Sequence, residues 1–197
     1  TLREDNVRSE VQKSLDGGTT TTDVTPPSPA QRLGRGALAG VWGADPGQDI
    51  VYAAFHGDSI YKSSDGGATW SEISTGFSAQ DLPVIYRITV NPDDPDIVYA
   101  GLATFFGTFD SPGGLYRTTD GGASWSRLDS YPYQDVLAVR FVGSPRRLFV
   151  GGWTNEAGGL LVSDDGSTFS EVLDQPFVTD VVDQVGRPGT LIAASSA

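Results

Sequence analysis

A short loop of fixed chemistry recurs along this chain. It reads Ser63-Ser64-Asp65-Gly66-Gly67-Ala68-Thr69-Trp70, returns as Thr118-Thr119-Asp120-Gly121-Gly122-Ala123-Ser124-Trp125, and appears more loosely at Val162-Ser163-Asp164-Asp165-Gly166-Ser167-Thr168-Phe169. A worn copy, Ser14-Leu15-Asp16-Gly17-Gly18-Thr19-Thr20-Thr21, has threonine where the aromatic residue should be. Taking Asp16, Asp65, Asp120 and Asp164 as the key aspartates, the intervals are 49, 55 and 44 residues. Self-similarity at such a period marks a fold built from successive supersecondary units, each burying its apolar face against the next.

The loop explains itself physically. An aspartate just after a hydroxyl residue can accept hydrogen bonds from backbone N–H groups a few residues on, and glycine supplies the positive φ of a tight turn. The aromatic residue opens the next strand and buries its ring against a neighbouring sheet. Each copy is therefore expected to be an anchored hairpin turn rather than a catalytic or calcium-binding aspartate.

The same run of strand-like segments surrounds each full loop. Ahead of the first lie Leu38 to Trp42, a turn at Ala44 to Asp49, Ile50 to Ala54, and Ser59 to Lys62. The next unit has Val84 to Val90, a turn at Asn91 to Asp96, Ile97 to Gly101, and Gly114 to Arg117; the third has Val136 to Val142, Gly143 to Arg147, Leu148 to Gly152, and Gly159 to Val162. A last strand follows each loop, as in Trp70 to Ile73 and Trp125 to Leu128. Four short strands per unit, punctuated by Gly, Pro, Asn and Asp, predict an all-β propeller of four-stranded antiparallel blades. Residues 1–24 supply the last two strands of a blade and 177–197 the first two of another, giving three whole blades and two halves. The expectation is one propeller domain over 1–197, incomplete or completed by other chains, with 25–36 as a linker or long inter-blade loop around Thr25-Pro26-Pro27-Ser28-Pro29-Ala30.

The pattern Ser/Thr-x-Asp-x-Gly-x-Thr/Ser-Trp/Phe resembles the Asp-box, or BNR repeat, of sialidases, xyloglucanases, sortilin-type receptors and photosystem II assembly factors. Asn91 to Gly101 followed by Gly114 to Gly122 is similar to blades of xyloglucanases and sortilin-like propellers. In those families the boxes are structural and lie on the face away from the ligand. The resemblance implies that role for Asp16, Asp65, Gly67, Trp70, Asp120, Gly122, Trp125, Asp164, Gly166 and Phe169. It also implies an extracytoplasmic location: secreted, periplasmic or at the cell surface. No catalytic aspartate of those families matches a position here. Tyr86-Arg87-Ile88-Thr89 mimics the Arg-Ile-Pro motif of sialidases but lacks its proline and reads as an ordinary first strand.

Composition narrows the partners. A formal charge of −12, with 20 Asp and 5 Glu against 13 Lys and Arg, disfavours nucleic acid and anionic membrane surfaces. No apolar run approaches the roughly 20 residues of a membrane-spanning helix. With no cysteine, neither disulfides nor thiolate metal sites arise. His56 is the sole histidine and no Gly-x-Ser-x-Gly elbow accompanies it, so a serine triad is unsupported. The run Asp93, Asp94, Asp96 lacks calcium-loop spacing and reads as a turn. The Arg146-Arg147 pair is too small a patch to imply an anionic partner. No metal or cofactor is expected.

If the box turns share one end of the blades with the turns between first and second strands, the other connections form the opposite, binding face. Those loops carry the aromatic residues Phe77, Phe105, Phe106, Phe109, Tyr131, Tyr133 and Trp153, interleaved with Asp58, Asp81, Asp110, Asp135 and Glu156. Such rings can stack on sugars or line a peptide groove. The expected function is a non-catalytic interaction platform for a protein partner or glycan, as an oligomer or a subunit of a larger complex. One alternative is a glycoside hydrolase, xyloglucanase- or sialidase-like, which needs two of those carboxylates across a cleft. Another is an assembly factor or peripheral subunit of a membrane complex.

Overall fold

The structure, a computed structural model, describes residues 9–27, 36–55, 58–78, 85–104, 112–154, 157–175, 177–183 and 190–195. It is all-β apart from a 3-10 turn at Pro46–Gln48. A two-stranded sheet comes first, β1 (Gln12–Lys13) with β2 (Thr22–Asp23). Three four-stranded antiparallel sheets follow, each a meander in chain order. Blade 1 is β3 (Gly36–Val41), β4 (Ile50–Phe55), β5 (Ile60–Ser63) and β6 (Ser71–Glu72). Blade 2 is β7 (Ile85–Asn91), β8 (Asp94–Leu102), β9 (Gly114–Thr118) and β10 (Ser126–Arg127). Blade 3 is β11 (Asp135–Val142), β12 (Arg147–Trp153), β13 (Gly158–Ser163) and β14 (Ser170–Leu173). A final pair, β15 (Asp180–Asp183) with β16 (Leu191–Ala194), completes the order. Of the expected linker at 25–36, residues 28–35 lie outside the described residues.

The sheets stack face to face. Strand β3 packs on β7, β7 on β11 and β11 on β15, so the first strands of successive sheets gather about one axis. The core lies between blades. Tyr52, Ala54 and Ile60 of blade 1 meet Ile88, Val98, Ala100 and Leu102 of blade 2. Tyr99 and Leu115 then meet Val136, Val139, Leu148 and Val150 of blade 3, and Phe149 and Leu160 meet Val178 and Val181. Strands flanked by sheets on both faces lose the apolar–polar alternation of a half-buried strand; β13, Gly-Gly-Leu-Leu-Val-Ser, is buried at every position. Each large apolar side chain so enclosed contributes about 1.5–3 kcal/mol.

The recurring turns are built alike. In the first full copy the Ser63 hydroxyl donates to Asp65 at 2.7 Å and accepts from the N–H of Gly67, while Asp65 accepts from the N–H and hydroxyl of Thr69. Thr118, Asp120, Gly122 and Ser124 repeat the set. So do Ser14, Asp16, Gly18 and Thr20 in the worn copy, which keeps every bond despite lacking the aromatic residue. The third copy corrects the sequence reading. Its anchor is Asp165, not Asp164: Asp165 accepts from Ser163, from the N–H groups of Ser167 and Thr168, and from the Thr168 hydroxyl. Asp165 lies two residues after Ser163, as Asp65 follows Ser63, and the turn is one residue shorter beyond it, Thr168 being three residues on where Thr69 is four. Asp164 points outward and pairs with Arg147.

The tryptophans tie blades together. Trp70 donates its indole N–H to the Val24 carbonyl and Trp125 to that of Ile73, each at 2.7 Å and each to the preceding sheet. Phe169 has no such donor and instead meets Tyr131 edge-on, ring centroids 5.7 Å apart. The N–H of Gly66 reaches the Asp49 carbonyl and that of Gly121 the Asp96 carbonyl, both at 3.0 Å. These bonds set the box turns beside the first-to-second-strand turns at one end of the blades, as the repeat predicts.

Candidate functional site: the loop face and the axial cleft

At the opposite end, the structure divides the expected loop residues into three groups. Phe105, Phe106, Phe109, Asp81, Asp110 and Glu156 lie outside the described residues. A second group turns inward, which corrects the reading of those rings as ligand contacts. Tyr131 is 2% exposed and Tyr133 6%; both belong to the core between blades 2 and 3, their rings edge-on at 5.7 Å. Burial pushes the Tyr131 phenol well above the ordinary tyrosine range. Phe77 packs against Tyr116 and Trp125 at 4.6 and 5.3 Å between centroids. Asp135 is buried too, and accepts from the N–H and hydroxyl of Thr104, fastening the end of β8 to the start of β11. A carboxylate spent in this way is a strut rather than a free acid or base. Asp58 accepts from the Tyr61 hydroxyl at 3.1 Å.

The third group is a half-buried aromatic pair. Trp153, at the end of β12, stacks on Phe177, with centroids 4.5 Å apart and planes 28° from parallel. Phe177 holds φ at 56°, an uncommon backbone region for a bulky residue. Sequence reasoning found Trp153 and missed Phe177, because no residue type announces a left-handed phenylalanine. The pair offers flat apolar surface where blade 3 meets the β15–β16 pair.

Nearer the axis lies a cleft of about 370 Å³, walled by β3, β7, β11 and the start of β15. Among the described residues, each of these four strands is hydrogen-bonded along one edge only, to the second strand of its own sheet. Gly36, Ala37, Ala39 and Gly40 keep the β3 wall low, whereas Arg87, Thr89, Arg140 and Asp180 bring polar groups to the others. Arg140 pairs with Asp180 at 2.7 Å, both half exposed, and the Arg87 guanidinium lies 4.1 Å from the Tyr86 ring centre. Two arginines against one aspartate make the cleft locally basic in an acidic chain. In the sequence Arg87 drew notice only through its likeness to the Arg-Ile-Pro motif and Arg140 drew none, and both read as ordinary strand residues. Among the described residues no cluster of acidic or histidine side chains could hold a metal ion, and no helix is long and apolar enough to cross a membrane.

Antiparallel four-stranded sheets stacked about an axis, with anchored turns at one end and a cleft between the inner strands, define a β-propeller scaffold. Comparison with known proteins agrees. No family model matches the chain. It is 30% identical over 148 residues to a xyloglucanase of Hypocrea jecorina (strain QM6a), aligning 60% of this chain with 17% of that protein. It is 30% identical over 95 residues to a xyloglucanase of Paenibacillus sp, aligning 42% of this chain with 9% of that one. The chain thus spans under a fifth of either xyloglucanase. Among solved structures, YCF48 bound to D1 peptide is similar with a TM-score of 0.57 at 14% identity, covering 96% of this chain and 55% of that one. An ancestral GH74 enzyme gives 0.56 at 22% identity, covering 85% and 23%. These likenesses establish the propeller fold.

Proposed function

We propose that the chain is a non-catalytic interaction platform, working outside the cytoplasm, which holds an extended segment of a partner protein along its axial cleft and loop face. The observation that carries this reading is the convergence of four strand edges on a cleft furnished with Arg87, Thr89, Arg140 and Asp180. Free strand edges offer main-chain donors and acceptors to an extended peptide, and the arginines favour a segment with carboxylate groups. The peptide-bound state of YCF48 supports the reading at the level of fold. The extracytoplasmic setting rests on the resemblance of the repeated turns to the Asp-box.

Selection of displayed peptides on the immobilised chain tests the proposal. Binders should weaken at least tenfold on Arg87→Ala or Arg140→Ala, with the circular dichroism spectrum unchanged. Peptides insensitive to both substitutions would remove the cleft from the account.

The second reading, a glycoside hydrolase, is favoured by the two xyloglucanase relatives. Against it, Asp135 is engaged in a buried structural bond and Asp58 in a bond to Tyr61. Release of reducing ends from xyloglucan by the chain, lost on replacing a loop carboxylate such as Asp110, would establish the hydrolase and overturn the platform.

A further inference from the structure

The contact between blades 1 and 2 is closed by opposite charges, and the equivalent contact between blades 2 and 3 is not. Lys62 stands across from Tyr52 in blade 1 and forms an ion pair with Asp96 of blade 2 at 3.4 Å. One blade on, Arg117 stands across from Tyr99, its guanidinium 5.7 Å from the ring centre. Val98 and Leu148 each pair with the hydroxyl residue that opens a box, Thr118 and Ser163, so Asp96 and Arg146, two residues earlier, hold equivalent places. An arginine thus stands where the partner of the blade 1 cation was an aspartate. Among the described residues no carboxylate pairs with Arg117, and its Nε–H, shut off from solvent, has no hydrogen-bond acceptor. A buried donor left in this state is costly unless something supplies an acceptor.

Both arginines line a pocket of about 120 Å³ between blades 2 and 3, at the box end of the sheets. Ile97, Tyr99, Phe141 and Leu148 give it apolar walls. Three carboxylates also line it, and each is engaged: Asp93 lies 3.6 Å from Arg146, Asp164 pairs with Arg147, and Asp165 accepts the bonds of its own turn. Arg117 is the charge left unmatched. The shortened third box helps to open the space. The N–H groups of Gly66 and Gly121 tether the earlier boxes to the carbonyls of Asp49 and Asp96, whereas that of Gly166 is spent on the Ser163 hydroxyl. Among the described residues no such tether reaches Arg146.

We propose that this pocket binds a monocarboxylate carried on a short apolar stem, its oxygens accepting from the Nε–H and Nη–H groups of Arg117 and its stem lying against Phe141 and Leu148. The planar fork of an arginine matches a carboxylate in two parallel hydrogen bonds. The apolar walls suit a hydrocarbon stem, and the volume admits a small head group rather than an extended ligand. Asp93, Asp164 and Asp165 penalise a doubly charged anion more than a singly charged one, which selects a carboxylate over a sulfate. The rest of the chain's −12 charge acts weakly here, because charges beyond about 8 Å are largely screened at physiological salt. In the sequence Arg146-Arg147 is too small a patch to imply an anionic partner; the fold adds Arg117 to it. A free aliphatic acid and a glutamate side chain on a docking peptide present the same group. The site is separate from the axial cleft and does not rest on its role.

The sheltered Nε–H of Arg117 is itself the reporter, observed in proton–nitrogen correlation spectra of the unmodified chain and assigned by its loss in Arg117→Lys. At constant ionic strength, butyrate should move this signal saturably in the millimolar range, sulfate about tenfold more weakly, and chloride not at all. Butyrate should also raise the melting temperature of the unmodified chain and leave that of Arg117→Gln unchanged. If either variant fails to fold, the titrations of the unmodified chain still decide, since this signal is the one that carboxylates move and chloride leaves in place. A blocked Gly-Glu-Gly peptide that saturates at about tenfold lower concentration than butyrate assigns the group to a partner's side chain, and the reverse order assigns it to a free acid. An Nε–H signal that neither carboxylate moves, sulfate binding as tightly as butyrate, or a butyrate effect that persists in Arg117→Gln would overturn the proposal.

Discussion

The hydroxyl of Tyr99 donates to the carbonyl oxygen of Gly166 at 3.0 Å, 67 residues away, pinning the second strand of blade 2 to the box turn of blade 3. One blade earlier Tyr52 reaches the next blade at a different point, donating to the Pro95 carbonyl near the start of β8 at 2.9 Å. In both, the residue across the strand pair is a cation, Lys62 beside Tyr52 and Arg117 beside Tyr99, 5.4 and 5.7 Å from the ring centres. The phenol is thus buried with its donor satisfied and its ring capped by charge. Tyr99→Phe removes the donor and leaves a buried carbonyl unpaired, which should cost about 1–2 kcal/mol. The same change at Tyr52, whose bond is only partly buried, should cost less. Urea unfolding midpoints of the two variants and the unmodified chain measure both losses, and a Tyr99→Phe midpoint equal to that of the unmodified chain would deny the pin any role.

The two adjacent aspartates of the third box divide cleanly by role. Asp165 accepts from Ser163, Ser167 and Thr168, and these bonds hold its carboxyl below the usual carboxylate range. Asp164 makes an exposed ion pair with Arg147, a kind of contact that contributes little in water. Asp165→Ala should therefore lower the melting temperature clearly, while Asp164→Ala leaves it nearly unchanged. Differential scanning calorimetry decides between them, and the reverse ranking would restore the spacing-based assignment.

That reassignment shows what was legible in the sequence and what was not. The strand order, the three four-stranded sheets with a pair at either side, and the grouping of turns at one end follow from chemistry repeated along the chain. The anchor of the third box escaped because an aspartate also occupies the variable position of a turn shortened by one residue. The binding face was harder, since exposure belongs to tertiary packing. Tyr131, Tyr133 and Phe77 lie in loop segments with the composition of a binding surface, yet each ring turns into an inter-blade core. Arg87 and Arg140 escaped for the opposite reason, as residues within ordinary strands that topology carries to the axis.

The box carboxylates give the fold a defined acid sensitivity. Hydrogen bonds from Thr69 and Ser63 lower Asp65 from 3.8 to about 2, and those from Thr20 and Ser14 lower Asp16 to about 2. Bonds from Ser124 and Thr118 lower Asp120 further. A carboxyl whose folded pKa is depressed stabilises the fold fully above its unfolded value, and that contribution is lost as pH falls through the folded value. From these groups the melting temperature should be flat above pH 5 and fall steeply between about pH 4 and pH 2. A variant with Asn at positions 16, 65, 120 and 165 should be less stable at neutral pH and show a shallower acid limb. An unchanged limb would assign acid unfolding to other carboxylates.

The β15–β16 pair is held to blade 3 through a contact with room for nothing larger than hydrogen. A Cβ added at Gly151 would strike the carbonyl oxygen of Val178 and crowd the Val178 side chain, which is itself fully buried. The backbone there cannot yield easily, because β12 is bonded on both sides, to β11 and β13. Gly151→Ala should therefore destabilise by about 1–3 kcal/mol, the usual cost of overpacking a tight core. The strain falls on the interface between blade 3 and the terminal pair, so amide exchange should accelerate first in β15 and β16, with blades 1 and 2 little affected. Gly47→Ala is the control: an added Cβ meets nothing within 4 Å, and stability should hold. Uniform acceleration across all blades would instead mean that the pair unfolds only with the whole domain.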